Sequence, residues 1–157
     1  MILVESTGRV AAPIEAVWDV VRRVEHLPSW LAGVDRAEVV SGEGFGRRQL
    51  LHTADGGTYD AEVFAYREPT LVAWRERPIR RGARALGWTE THVELAPDGE
   101  GTAVRLIVVR WPAGPLTGAL VRLGTHRIGT SLDSSITRLA DVVGVGRDDA
   151  DLARPPA

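Results

Sequence analysis

Cysteine and lysine are both missing from this 157-residue sequence, and all 19 of its basic residues are arginine. Without cysteine, the chain can form no disulfide, thiol nucleophile or cysteine-based metal site. Without lysine, it cannot form a Schiff base with a carbonyl substrate. No hydrophobic run approaches the roughly 18 residues needed to span a bilayer, and the N-terminus lacks the basic region of a signal peptide. We therefore expect a cytoplasmic protein without integral membrane association.

Charge and length narrow the functional classes further. The formal net charge is −2, which disfavours a protein built to track a nucleic-acid backbone. Hydrophobic residues make up 44% of the chain and charged residues 25%, as in ordinary globular proteins. The length suits one domain with its own core. We expect that domain over residues 1–146, followed by a polar C-terminal tail over residues 147–157.

The pattern of apolar and turn-forming residues predicts the order of the secondary structure. A first strand is expected over Val4–Ala11, and Pro13 then suits the first turn of a helix. The apolar face of that helix recurs at steps of three and four residues, at Ile14, Val17, Trp18 and Val21. A second short helical turn ends near Leu31. Six strands separated by turn signals follow, at Arg36–Gly42, Arg47–Thr53, Tyr59–Tyr66, Leu71–Arg77, Trp88–Ala96 and Ala103–Trp111.

The C-terminal part of the chain is predicted to form one long helix. It is expected from Pro115 to about Val143, because the segment after Pro115 has no proline and its apolar residues follow a helical period. A glycine inside such a helix costs about 1 kcal/mol relative to alanine. A close neighbour or a kink is therefore expected near Gly118, Gly124 and Gly129. Gly144 and Gly146 are expected to end the helix.

The segment Val10–Leu31, VAAPIEAVWDVVRRVEHLPSWL, follows the first strand directly. Its order of strand, AP-x-E-x-VW-D helix and second short helix ending in tryptophan resembles the opening of the SRPBCC superfamily, the START-like or polyketide-cyclase-like helix-grip proteins. The resemblance implies an α+β helix-grip fold, in which a curved antiparallel sheet of about seven strands wraps around a long C-terminal helix and two short helices follow the first strand. It also implies a deep apolar cavity that binds a hydrophobic small molecule.

Strand alternation places an arginine on the predicted inner face of the last strand. If Val104, Leu106 and Val108 point inward, Arg110 shares their face, and Val108 is expected to contact the ligand. A charge in an apolar cavity needs an anionic or carbonyl partner, unless it lies at the mouth and reaches water.

A second arginine, Arg48, repeats this pattern in the strand Arg47–Thr53. The strand that begins at Tyr59 is compatible with either face, so the orientation of Tyr59 stays open. In aromatase and cyclase members of the resembled superfamily, cavity Arg and Tyr or Ser groups bind and polarise ketones and direct aldol closure. The resemblance therefore implies Arg110 or Arg48 as the electrophilic stabiliser and Tyr59 as a proton carrier.

Aromatic and serine residues supply the other candidate ligand contacts. Five tryptophans stand against two phenylalanines, and the large flat indole suits a pocket wall. Core packing explains each tryptophan singly, and the serines of the last helix can be small residues packed on the sheet. The functional alternative is a set of ligand contacts at Trp30, Leu31, Trp74, Trp88, Ser131 and Ser135.

Neither a metal nor a cofactor is expected from the motifs. The four histidines stand far apart, without the spacing of a metal-binding pair. The glycine-rich stretch GEGFG that starts at Gly42 is followed by a β-rich run. A dinucleotide site needs a helix at that point, so a hairpin turn is the better interpretation.

Two alternatives to an enzyme stay open. One is a non-catalytic carrier or sensor of a lipid or isoprenoid, as other superfamily members are. The other is a protein-interaction module whose arginine-rich hairpin, Arg75–Arg84, binds an acidic partner such as the carrier protein that delivers a polyketide-type substrate. An inward Arg110 with a polar partner in a sealed pocket would favour the enzyme. A wholly apolar, elongated pocket would favour the carrier, and a filled core would favour the interaction module.

Overall fold

The computed structural model describes residues 1–79, 87–114 and 125–155. The N-terminal elements are β1 (Ile2–Val10), α1 (Ile14–Val21), one 3₁₀ turn (Val24–His26) and α2 (Leu27–Trp30). The strands that follow are β2 (Val34–Ser41), β3 (Arg48–Thr53), β4 (Thr58–Arg67), β5 (Leu71–Pro78), β6 (Trp88–Asp98) and β7 (Gly101–Trp111). The long helix α3 (Thr125–Leu152) comes last.

The strands of the described chain form one antiparallel sheet in the order β1-β7-β6-β5-β4-β3-β2. Helix α3 packs on β1 and α2, and a hydrogen bond from Ser6 of β1 to Asp133 of α3 joins the two elements. The curved seven-stranded sheet, the long C-terminal helix and the short helices after the first strand confirm the predicted helix-grip fold.

Helix α1 forms as the apolar spacing predicts. Pro13 is its N-cap residue, and all of the predicted apolar face is buried, at Ile14, Val17, Trp18 and Val21. The indole Nε1 of Trp18 donates a hydrogen bond to Oε1 of Glu68 at 3.2 Å. Because Glu68 lies between β4 and β5, this bond ties the helix to the sheet.

The predicted end of the last helix is wrong. Helix α3 continues through Gly144 and Gly146 to Leu152, so its last turns occupy part of the segment expected to be a polar tail. Neither glycine adopts the positive φ with which glycine commonly ends a helix. Residues 115–124, where the helix was expected to begin, lie outside the described residues. No helix of the described chain is long and apolar enough to cross a membrane.

Close packing occurs at a glycine of strand β1, Gly8, and not at Gly129 of helix α3, where a close neighbour or a kink was expected. A Cβ atom built at Gly129 would lie 3.8 Å from Cγ1 of Val4, an ordinary contact. A Cβ atom built at Gly8 of β1 would lie 2.6 Å from Cγ2 of Ile136 in α3. The absence of a side chain at Gly8 therefore lets the helix approach the sheet.

Candidate functional site

A cavity of about 1060 Å³ lies between the inner face of the sheet and α3. Its walls come from the segment after α2, the β3–β4 hairpin, the ends of β5, β6 and β7, and residues 127–135 of α3. The apolar part of the wall includes Leu31, Leu51, Val108, Ile128 and Leu132. Its size suits a drug-sized organic molecule.

A polar row crosses the sheet on the cavity wall. Glu76 of β5 pairs with Thr89 of β6, and Thr89 pairs with Arg110 of β7. All of them line the cavity. Neighbouring strands are about 4.8 Å apart, so the Cα atoms of Glu76 and Arg110 are about 10 Å apart. One small molecule can therefore contact both side chains.

Glu76 carries the clearest electrostatic perturbation on this wall. The side chain is half-buried and lines the cavity. The indole Nε1 of Trp74 donates a hydrogen bond to its Oε2 at 3.2 Å. Burial raises the pKa of Glu76, and the opposing effects of the Trp74 hydrogen bond and the Arg110 charge do not cancel this increase. The neutral, protonated carboxyl is thus favoured relative to an exposed glutamate.

Arg110 lies on the inward face of β7, as strand alternation predicts. It lines the cavity together with Val108, and its Nε atom is buried without a hydrogen-bond partner in the described part of the protein. A buried donor without an acceptor costs free energy. Because Arg110 lies on the cavity wall, the catalytic role expected for it stays a prediction.

The predicted inward orientation of Arg48 is wrong. The buried face of β3 carries Gln49 and Leu51, and Arg48 lies on the opposite face with 52% of its side chain exposed. Its Nη2 atom pairs with Oδ2 of Asp60 at 2.8 Å. The alternation was assigned to the wrong face of this strand, so Arg48 is separated from the cavity by the sheet.

The orientation of Tyr59, which the sequence left open, is resolved by the burial of its strand. Ala61 and Val63 of β4 are fully buried while Glu62 is exposed. Tyr59 shares the face of Ala61 and Val63 and lines the cavity. Its expected role as a proton carrier stays a prediction.

The tryptophans expected at the ligand lie in different places. Trp30 and Trp74 are fully buried in the core and are not among the residues that line the cavity. Trp88 reaches the edge of the cavity, but its ring stacks on Trp111 with centroids 5.9 Å apart. Trp30 and Trp74 therefore fit the alternative interpretation, core packing. Leu31, the residue after Trp30, does line the cavity.

Both serines expected at the ligand line the cavity, and both already make hydrogen bonds. The Ser135 hydroxyl donates to the carbonyl oxygen of Ser131 at 2.7 Å and accepts from the backbone N–H of Ala32 at 2.9 Å. The Ser131 hydroxyl donates to the carbonyl oxygen of Arg127 at 2.9 Å. Ser135 thus ties α3 to the segment after α2. Ligand contact by either serine stays a prediction.

The arginine-rich hairpin is described only in its first strand. Arg75 pairs with Glu90 at 2.7 Å, and the guanidinium groups of Arg75 and Arg77 lie over the ring of Trp88, 5.5 and 5.8 Å from its centroid. Arg80, Arg81 and Arg84 lie outside the described residues. Docking of an acidic carrier protein on this hairpin stays a prediction.

Glu76 and Thr89 are among the wall residues that the sequence interpretation missed. The signal for Glu76 was present, because Val72, Trp74 and Glu76 alternate on one face of β5, as Val108 and Arg110 do on β7. Thr89 carries no comparable signal, since a threonine is common on either face of a strand. Among the residues described, no group of three or more His, Cys, Asp or Glu side chains is placed to hold a metal ion.

Solved structures with low sequence identity share this fold. A protein of Mesorhizobium loti matches with a TM-score of 0.72 at 15% identity, over 91% of this chain and 97% of that chain. A protein of Thermus thermophilus matches with a TM-score of 0.71 at 22% identity, over 92% and 99%. DynU16, described as a putative protein in the dynemicin biosynthetic locus, matches with a TM-score of 0.68 at 17% identity, over 92% of this chain and 48% of that chain.

A comparison with curated proteins finds no match. A comparison with protein families matches residues 1–144 to the family described as polyketide cyclase/dehydrase and lipid transport. The matched region includes the sheet and most of α3, and with the cavity it supports a ligand-binding role. The chain therefore belongs to this family, within the SRPBCC superfamily whose helix-grip fold it has.

Proposed function

We propose that the protein binds an apolar small molecule containing a ketone and catalyses proton transfer next to that ketone, as in cyclase-type aldol closure. The observation that carries the proposal is the row formed by Glu76, Thr89 and Arg110 on the wall of a cavity that is lined by both apolar and polar side chains. A pure carrier of hydrocarbon would gain nothing from a carboxyl and a guanidinium on its wall, because a hydrocarbon that covers them removes them from water without supplying hydrogen-bond partners.

The two charged residues suit the two halves of an enolisation. A carboxyl whose pKa is raised by burial can exchange a proton near neutral pH more readily than an exposed glutamate can. In its ionised form Glu76 takes a proton from the carbon beside the ketone, and the electron pair of that C–H bond moves onto the ketone oxygen. Arg110 stabilises the resulting enolate by donating a hydrogen bond to that oxygen.

Ring closure then needs no further reactant. The enolate carbon attacks a second carbonyl of the same molecule, so that one C–C bond forms and the carbonyl π electrons become an alkoxide. Glu76 returns its proton to that alkoxide, which restores the enzyme and makes the overall reaction an isomerisation. Loss of water from the product would be a second, separate proton-transfer step. Tyr59, which lines the cavity from the neighbouring strand β4, is the further proton carrier in this proposal.

Deuterium exchange into a small apolar ketone tests the proposal without knowledge of the natural substrate. The probe is 1-tetralone in D₂O, with deuterium at its α-carbon followed by NMR. We expect the protein to accelerate exchange, and Glu76→Gln or Arg110→Met to reduce the rate about 100-fold. Glu62→Gln is the matched control, since Glu62 is exposed on the opposite face of the sheet.

The alternative functions give different results in the same experiment. Binding of 1-tetralone without accelerated exchange would favour the non-catalytic carrier of a lipid or isoprenoid, a function that the apolar wall and the family description also suit. Equal exchange rates for the wild type and Glu76→Gln would contradict the catalytic proposal. The interaction-module alternative required a filled core, and the cavity of about 1060 Å³ argues against it.

A further inference from the structure

We propose that Trp74 is a positioning residue, whose indole N–H holds Oε2 of Glu76 so that the carboxyl proton is carried by Oε1 on the cavity side. This inference rests on the proposed function for its catalytic meaning, but it can be tested in the ligand-free protein. It gives Trp74, which was expected to contact the ligand, a role that it performs through Glu76 instead.

The geometry begins with strand β5. Trp74 and Glu76 are two residues apart, so their side chains leave the same face of the strand. Trp74 is 1% exposed, and its cross-strand neighbours Val63 and Thr91 are also buried. Packing on both sides leaves the indole little freedom to rotate. Its Nε1 atom is therefore a fixed donor, 3.2 Å from Oε2 of Glu76.

The chemistry of the indole then determines where the carboxyl proton lies. An indole N–H can donate a hydrogen bond but cannot accept one. Oε2 therefore acts as an acceptor. Because the carbonyl oxygen of a neutral carboxyl accepts better than its hydroxyl oxygen, this bond favours the proton on Oε1. Oε1 has no hydrogen-bond partner within the described ranges, and Glu76 contributes surface to the cavity. The acid is thus presented to the ligand through one defined oxygen.

Other tryptophans show that this bond is not a general consequence of burial. The Nε1 atoms of Trp30 and Trp111 are buried without a partner in the described chain. Trp74 instead reaches the carboxylate on its own face. Because its N–H favours the ionised carboxylate, Trp74 offsets part of the increase that burial causes in the pKa of Glu76.

The substitution Trp74→Phe tests the role of the indole N–H, because it keeps an aromatic ring and removes the donor. Trp111→Phe is the matched control, since it makes the same change at an indole that has no acceptor in the part of the chain described. The carboxyl carbon of Glu76 is followed by ¹³C NMR in ligand-free protein and assigned by its disappearance in Glu76→Gln. We expect Trp74→Phe to move the titration midpoint of Glu76 upward and Trp111→Phe to leave it in place.

A catalytic readout accompanies the titration. The pH profile of 1-tetralone exchange should move upward with the Glu76 midpoint in Trp74→Phe, and the rate at neutral pH should fall about tenfold. An unchanged Glu76 midpoint in Trp74→Phe would overturn the inference, even if the wild type catalyses exchange. A shifted midpoint in a protein whose wild type shows no exchange would overturn the proposed function and leave the positioning of the carboxyl standing.

A measurement on the unsubstituted protein covers the case in which Trp74→Phe does not fold. The indole ¹H–¹⁵N resonance of Trp74 should shift with pH at the midpoint of the Glu76 carboxyl and should lose this titration in Glu76→Gln. The corresponding resonance of Trp111 should not titrate there. If the Trp74 indole resonance did not shift at the pH at which Glu76 ionises, the proposed hydrogen bond would be contradicted.

Discussion

Glu76 and Arg110 lie on one transverse row of the sheet, with Thr89 between them. Arg110 acts on Glu76 through its charge, whereas the hydrogen bond that Glu76 accepts comes from Trp74. Arg110 and Glu76 therefore do not form a short ion pair, and a ligand that binds between them has no such pair to break. Glu76 and Arg110 line the same cavity, so one bound molecule can contact both side chains.

Glu76 should make the stability of the protein depend on pH. Its folded-state pKa is raised above the unfolded value by burial, so the folded state binds the proton more tightly. Its contribution is most favourable below the unfolded pKa and is lost as the pH rises through the folded pKa, at about 1.4 kcal/mol for each unit of difference. Glu76→Gln should therefore become more stable than the wild type as the pH rises.

Urea unfolding from pH 4 to pH 8 measures this effect. The difference in the free energy of unfolding between Glu76→Gln and the wild type should grow in favour of the variant across that range. Glu62→Gln, at an exposed position, should show no such trend. A difference that stays constant with pH would mean that Glu76 titrates in the folded state as it does in the unfolded chain.

Arg110 should lower the pKa of Glu76 across the row. Its positive charge favours the ionised carboxylate, so Arg110→Met should raise the titration midpoint of Glu76 in a ¹³C NMR experiment. Arg48→Met removes the same charge on the outer face, where Arg48 pairs with Asp60, and should leave that midpoint nearly unchanged. Equal shifts of the Glu76 midpoint in the two variants would indicate that only the net charge of the protein matters. Such a result would contradict a specific effect of Arg110 on Glu76.

Some of this site follows from strand alternation and some does not. Alternation within β7 places Arg110 correctly, because several aliphatic residues define the inner face of that strand. The same reasoning fails for Arg48. The prediction grouped Arg48 with Leu50 and His52 as the inner face of β3, but the buried face of the folded strand carries Gln49 and Leu51. Each face of β3 holds one leucine and polar residues, so the pattern is weak. A shift of one residue moves every side chain of a strand to the other face, so a weak pattern gives the wrong face completely.

The pattern of alternating residues could not predict which side chains of different strands lie next to one another. The row from Glu76 to Arg110 depends on the register of three strands, which a single sequence does not specify. The hydrogen bond from Trp74 to Glu76 depends on the rotamer of a buried indole. Alternation could have placed Glu76 itself inside, since it shares the face of Val72 and Trp74, but not its partners.

Ser135 should hold the cavity wall together through its hydroxyl. It accepts a hydrogen bond from the backbone N–H of Ala32 and lies 1% exposed. Ser135→Ala leaves that N–H without its partner and should lower the free energy of unfolding by about 1–2 kcal/mol. Hydrogen exchange at the Ala32 amide should also become faster. Ser131→Ala is the control, because the Ser131 hydroxyl bonds within its own helix. If exchange at the Ala32 amide became equally fast in Ser131→Ala, the proposed role of the Ser135 hydroxyl would be contradicted.

Gly8 should be intolerant of a side chain, although its backbone is that of an ordinary strand residue. A Cβ atom there would lie 2.6 Å from Cγ2 of Ile136, so Gly8→Ala should lower the free energy of unfolding by about 1–3 kcal/mol through overpacking. The methyl group in question is branched from the Cβ atom of Ile136 and cannot move far without turning the whole side chain. Ile136→Ala should therefore recover part of the loss when combined with Gly8→Ala.

The helix glycine opposite the same strand should behave in the reverse way. A Cβ atom at Gly129 would meet Val4 at 3.8 Å, so Gly129→Ala should gain up to about 1 kcal/mol of helix propensity without a steric cost. Urea unfolding of the two single variants and of the Gly8→Ala/Ile136→Ala pair measures all of these effects. If Gly8→Ala did not lower the free energy of unfolding, the close approach of α3 to β1 at Gly8 would be refuted.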